Sequence, residues 1–180
     1  EDITGLAPSA RTRRGLGRAF QLTNLFPQLT ALENVRLAVQ SRADAGWSLF
    51  KVWNTRRDLI EQAESVLERV RLSDKRHITP KALSHGDQRK LEVALLMALD
   101  PQVYMFDEPT AGMSVDDAPV VLDLIRQLKL KKDRTILLVE HKMDVVRELA
   151  DRIVVLHNGQ LVADGEPAAV MSLPVVQQAY

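Results

Sequence analysis

A short apolar run, Val103-Tyr104-Met105-Phe106, stands between Asp100-Pro101 and an acidic turn, Asp107-Glu108-Pro109. Bounded by proline on both sides, it predicts a buried parallel strand over residues 103 to 107. Parallel strands need crossover connections, usually helical, so this one segment commits the chain to an α/β architecture. Open α/β sheets bind ligands beyond the carboxyl ends of their strands, which is where Asp107 and Glu108 fall.

The pattern after residue 100 agrees with that reading. It predicts helix near 115 to 129, strand 134 to 139, helix 142 to 150 and strand 152 to 156, the alternation of a parallel sheet with helical crossovers. His157-Asn158-Gly159-Gln160 is a hairpin-turn signal between Ile153-Val154-Val155-Leu156 and Leu161-Val162-Ala163, so a terminal antiparallel pair is expected. Residues 30 to 100 read mainly as helix. Thr30 stands as a cap before Leu32, Val35, Leu37 and Val39, and Leu59, Ala63, Val66, Leu67 and Val70 form an amphipathic stripe. Ser84 opens a third helix that stops at Asp100-Pro101.

Residues 11 to 18, with Arg11, Arg13, Arg14, Gly15, Gly17 and Arg18, read as a basic loop, or a solvated arginine cluster, leading into extended Ala19-Phe20-Gln21. Residues 41 to 54 carry Gly46, Trp47, Leu49, Phe50 and Trp53 in a connection that suits a partner surface and a local core equally.

The 180 residues suffice for one core, or a core with a subdomain. Lysine plus arginine and aspartate plus glutamate number 24 each, which leaves no global field to draw the chain to nucleic acid or an anionic membrane. There is no cysteine, so disulfides and thiolate metal sites are excluded. No apolar run reaches the roughly 18 to 20 residues of a membrane-spanning helix.

At the strand mouth, Asp107 is a carboxylate of the kind that holds magnesium, and Glu108 one that can orient or deprotonate a water. An ordinary acidic strand end looks the same. Pro109 is expected to keep Glu108 out of the right-handed helical region and the segment extended. Ser84-His85-Gly86 at a helix start offers a hydroxyl and unpaired N–H groups to a phosphate, although Ser84 serves equally as a plain N-cap. Arg89, Lys90 and Glu92 fit either a solvated face or neutralisation of phosphate charge. His141, following strand 134 to 139, stands either near the Asp107–Glu108 sheet edge or as a helix cap. Gln21 could reach a metal-bound water.

In this order, these pieces resemble the ATP-binding cassette (ABC) family. Gln21 is similar to its Q-loop glutamine, Leu83 to Gln88 to its signature, Val103 to Glu108 to its Walker B strand, Glu108 to its catalytic glutamate and His141 to its switch histidine. Phe20-Gln21, Leu25-Phe26-Pro27, Leu29-Thr30, Glu33-Asn34-Val35, Ala111-Gly112-Met113-Ser114 and Glu140-His141-Lys142-Met143 look like the branch serving branched-chain amino acid, amide and urea importers.

The resemblance implies a P-loop NTPase-like parallel sheet with an inserted α-helical subdomain, residues 22–100, and an α/β core, residues 101–180. It implies ATP and magnesium as cofactors, with Asp107 and Gln21 at the metal, and Glu108, His141 and Gln21 serving catalysis. Ser84, His85, Gly86, Asp87 and Gln88 would face the nucleotide. Implied partners are a second ATPase subunit, identical or not, transmembrane permease subunits and, through them, a solute-binding protein, on the cytoplasmic side of the cell membrane and without nucleic acid. A non-transport ABC ATPase of DNA repair or translation, and a degenerate dimer partner, are the alternatives.

Three departures qualify the match. G-x-x-x-x-G-K-[ST] is absent, so the amino-terminal part of the fold is expected to be missing and the chain alone to be inactive. His85 and Asp87 stand in the signature where glycine and glutamine are common, and a carboxylate near phosphate is unfavourable unless it points away. Ser114 replaces the D-loop aspartate, with Asp116 and Asp117 close by.

Overall fold

The computed structural model describes residues 2–19, 25–43 and 56–179. The chain divides into two compact units, Glu1–Leu138 and Val139–Tyr180.

In the first unit the expected strand is β2, Val103–Asp107, at the centre of a three-stranded sheet. It lies between β1, Leu16–Ala19, and β3, Thr135–Val139. β1 and β2 pair in parallel with Leu16 opposite Val103 and Ala19 opposite Phe106, and helix α5, Ala118–Lys129, links β2 to β3. Side chains two apart on a strand share a face, and Tyr104 and Phe106 stack there fully buried with ring centroids 6.1 Å apart. Burial pushes the Tyr104 hydroxyl pKa up, and the group is satisfied by donating to Asp100 Oδ1 at 3.1 Å.

Among the described residues, four α-helices precede β2: α1, Pro8–Arg13; α2, Ala31–Arg42; α3, Arg57–Arg69; and α4, His85–Leu99. Thr30 closes a capping box on α2, accepting from the Glu33 N–H while the Glu33 carboxylate accepts from the Thr30 N–H at 2.7 Å. α3 buries Leu59, Ala63 and Leu67, the stripe expected from their spacing. α4 packs against α2, α3, α5 and β1 and is buried on almost every side. It ends at Asp100, in the left-handed conformation, just before Pro101.

Two expectations are corrected here. The basic stretch from residue 11 begins inside α1, because Pro8 occupies the first helical positions with its φ already set; the chain turns only at Gly15, φ 86°. The helix expected from 115 starts at Ala118, because Ser114 Oγ accepts from the Asp117 N–H and closes a turn first.

The second unit holds α6, Met143–Leu149, and an antiparallel hairpin of β4, Ile153–His157, and β5, Gln160–Gly165. Asn158 and Gly159 both take positive φ, 49° and 74°, as the Asn-Gly signal requires. Two short helices not read from the sequence, α7, Pro167–Met171, and α8, Pro174–Ala179, bring Val170 and Val176 onto Ile153, Val155 and Ala163.

β1 approaches α4 closely because residue 17 is glycine: a Cβ there would lie 2.5 Å from Leu96 Cδ1 and 2.5 Å from Pro101 Cγ. The proline ring cannot rotate away. Gly17→Val is therefore expected to lower the unfolding free energy by about 1 to 3 kcal/mol, an overpacking cost read as a fall in the urea midpoint. An unchanged midpoint would show that strand and helix can separate freely.

Candidate functional site

Helix α4 begins at Ser84, whose Oγ accepts from the Asp87 N–H at 3.2 Å and donates to Asp87 Oδ2 at 2.8 Å. Ser84 is thus the N-cap, and the next two N–H groups, of His85 and Gly86, belong to the first turn, which has no carbonyl one turn back. Gln88 Nε2 donates to the carbonyls of Pro80 at 3.0 Å and Leu83 at 3.1 Å, fixing the chain that leads into the helix. His85 and Gly86 press on the loop after β2. A Cβ on Gly112 would sit 3.1 Å from His85 Nε2, and one on Gly86 would sit 2.7 Å from Asp117 Oδ2.

The Asp87 carboxylate points inward. It meets Lys75 Nζ at 2.6 Å and Lys90 Nζ at 2.7 Å, and Lys90 continues to Asp117 Oδ1 at 2.9 Å. Asp117 in turn accepts from Ser114 Oγ at 2.9 Å. A chain of alternating charge therefore joins the start of α4 to residues 114–117. Burial opposes the charge on Asp87, but hydrogen bonds from Lys75, Lys90 and Ser84 outweigh it and bring the carboxyl down to about 2. Burial likewise works against the Lys90 cation, and its bonds to Asp87 and Asp117 more than compensate, raising its pKa.

At the β2 mouth the Asp107 side chain is partly open, with Oδ2 accepting from Arg18 Nη2 at 3.3 Å. Glu108 does not continue the strand as expected: its φ is 45°. Proline at the next position disfavours the right-handed helical region, and the chain turns into the left-handed one instead of staying extended. The Glu108 carbonyl is fixed there by the Ala111 N–H at 3.0 Å and Arg89 Nη2 at 3.0 Å. Arg89 Nη2 also reaches the Asp107 carbonyl at 3.3 Å, while Nη1 donates to Glu92 Oε2 at 2.8 Å. Burial raises the pKa of Glu92 against the pull of Arg89. Arg89, Lys90 and Glu92 are thus neither a solvated face nor turned to a ligand; all three are buried and paired within the protein.

His141 lies in the second unit with an exposed side chain, and its N–H donates to Glu140 Oε2 at 3.0 Å. Lys142, not His141, holds the N-cap position of α6. Gln21 and the aromatic residues Trp47, Phe50 and Trp53 lie outside the described residues. Among the described residues no three His, Cys, Asp or Glu side chains converge on a metal position. Magnesium held largely by phosphate and water needs only one or two carboxylates, and the partly open Asp107 fits that requirement.

Sequence reasoning missed Lys75 and Asp117 as partners of the α4 start. The S-x-x-D spacing of Ser84 and Asp87 carried a usable signal, since a carboxylate at the third helical position folds back on its cap.

Residues 1–111 match the family model described as ABC transporter. The chain is 35% identical to the high-affinity branched-chain amino acid transport ATP-binding protein BraF of Pseudomonas aeruginosa, over 100% of this chain and 72% of that one. It is 34% identical to the corresponding protein LivG of Escherichia coli, with the same coverage. Among solved structures, a nucleotide-free ATP-binding cassette from an ABC transporter matches with a TM-score of 0.77 at 26% identity, over 100% of this chain and 74% of that one. A dimeric post-hydrolysis cassette bound to ADP and Pi matches with a TM-score of 0.75 at 25% identity, over 91% and 68%.

The Asp87 pairing makes stability depend on pH. Its folded pKa, about 2, lies below the ordinary carboxylate value, so the stabilisation is complete above the unfolded pKa and is lost as pH falls through the folded one. Asp87→Asn is expected to cost about 2 kcal/mol at pH 7 and to flatten the fall in stability between about pH 5 and pH 2. Urea unfolding across that range checks it; parallel acid limbs in the two proteins would remove Asp87 as the titrating group.

Proposed function

This chain belongs to the ABC transporter family, and on that premise we propose that it is the ATP-hydrolysing subunit of an importer for branched-chain amino acids or related small solutes. The observation that carries the chemistry is the turn at the β2 mouth, where Asp107 and the left-handed Glu108 stand side by side on a fixed backbone. The choice of solute class rests on the similarity to BraF and LivG over the whole chain.

In this reading Asp107, with Gln21, holds magnesium, which neutralises phosphate charge. Glu108 orients and deprotonates the attacking water, and His141 contacts the γ-phosphate. Ser84, His85 and Gly86 face an ATP carried by a second ATPase subunit, using the N–H groups and dipole of α4. Asp87 and Gln88 belong to the same signature as its inner supports, since both side chains are turned into the protein. Residues 22–100 form the helical subdomain that meets the permease subunits and residues 101–180 the α/β core. Among the described residues no helix is long and apolar enough to cross a membrane. In this reading the chain is a peripheral subunit on the cytoplasmic side of the cell membrane, the place that similarity to transport ATP-binding proteins suggests. A solute-binding protein enters only through the permease.

Glu108→Gln, made in the ATPase assembled with its membrane subunits, is expected to lower turnover by about 10² to 10⁴ while ATP is still bound. Phosphate release and nucleotide binding measured together check it. Turnover unchanged by the substitution would make this a non-catalytic dimer partner.

A further inference from the structure

Arg89 is buried, with one end of its guanidinium, Nη1, on the Glu92 carboxylate and the other, Nη2, on two main-chain carbonyls. Those carbonyls belong to Asp107 and Glu108, eighteen and nineteen residues further along the chain. A left-handed φ is costly for a residue with a side chain and persists only where surrounding contacts hold it. Here the Glu108 carbonyl accepts from both the Ala111 N–H and Arg89, and Arg89 is itself braced by the buried Glu92 one helical turn on. The fork of a guanidinium can serve Glu92 with one nitrogen and both carbonyls with the other, which a single ammonium cannot match.

We propose that Arg89, braced by Glu92, is a positioning residue for Glu108: it fixes the turn that aims the Glu108 carboxylate and ties that turn to the signature helix of the same subunit. The proposal rests on the reading of Glu108 as the residue that activates water. It assigns no nucleotide contact to Arg89, so ATP affinity is set elsewhere and the effect falls on the chemical step.

The test is steady-state ATPase of the assembled transporter carrying Arg89→Lys, beside wild type and Glu108→Gln. Because a displacement near 1 Å at a reacting group costs on the order of a hundredfold, kcat is expected to fall by about 10- to 100-fold with KM for ATP little changed. Added to Glu108→Gln, the same substitution should leave the residual single-turnover rate almost unaltered, whereas a general loss of structure would lower both backgrounds alike. Should Arg89→Lys fail to fold, the pair Arg89→Met with Glu92→Leu removes both buried charges together and is expected to fold with the same loss in kcat. Wild-type kcat in either variant overturns the proposal alone. Turnover that survives Glu108→Gln overturns the reading of Glu108 and this proposal with it.

Discussion

Helix α4 is enclosed by α2, α3, α5 and β1, yet its first two turns carry Asp87, Arg89, Lys90 and Glu92. A charge taken out of water without a partner is prohibitive, so each of the four must find an opposite charge or a dipole inside the protein. Helical spacing brings Arg89 to Glu92 and Lys90 to Asp87, three residues apart. Further partners come from outside the helix, from Lys75 before it and from Asp117, the carbonyl of Asp107 at the end of β2 and the carbonyl of Glu108 just beyond. Asp117 and the two carbonyls lie on the segments that follow β2, among them the turn to which the proposed function assigns the chemistry. Burial of α4 thereby determines where the β2 mouth and the 114–117 loop stand.

The same constraint resolves the oddity of an acidic signature. A carboxylate beside a phosphate-binding helix start would repel its ligand. Asp87 does not act that way, because Lys75 and Lys90 compensate it at hydrogen-bond distance and Asp117 is compensated by Lys90 in turn. The four charges cancel, so Asp87 does not offset the positive end of the α4 dipole. Ser114, which departs from the D-loop pattern, still joins this chain through Asp117, one step removed from the position where an aspartate is usual.

What could be read from the sequence follows the range over which each feature is decided. Strand β2, the Asn158-Gly159 turn and the α3 stripe are set by residues within a few positions, and periodicity or turn chemistry revealed them. Helices α1, α7 and α8 span six, five and six residues, too few for a periodic signal, and each opens on a proline. The conformation of Glu108 was misjudged because the next-residue proline only excludes one region; the choice among the others is made by Arg89, far away in sequence. The pairing of Asp87 with Lys75 and of Lys90 with Asp117 spans 12 and 27 residues, and no local pattern encodes it. Gln21 and the aromatic connection were legible only as motifs and lie outside the described residues.

Buried ion pairs are weak sources of stability, since an apolar set of similar volume would often serve the fold as well or better. Their presence along α4 therefore calls for a reason other than cohesion, and the two networks differ in what they could supply. The Asp87 chain reaches the 114–117 loop through the Asp117 carboxylate, a side chain that can turn without moving the backbone that carries it. Arg89 ends on carbonyl oxygens, which cannot move without rotating the peptide planes that flank Glu108. An apolar residue at position 89 would fill the space but take its contact from both carbonyls and leave that of Glu108 to the Ala111 N–H, and a left-handed glutamate would lose the contact that distinguishes its turn from the extended one proline also allows. At Arg89, the buried charge thus sets the direction of the turn that carries Glu108.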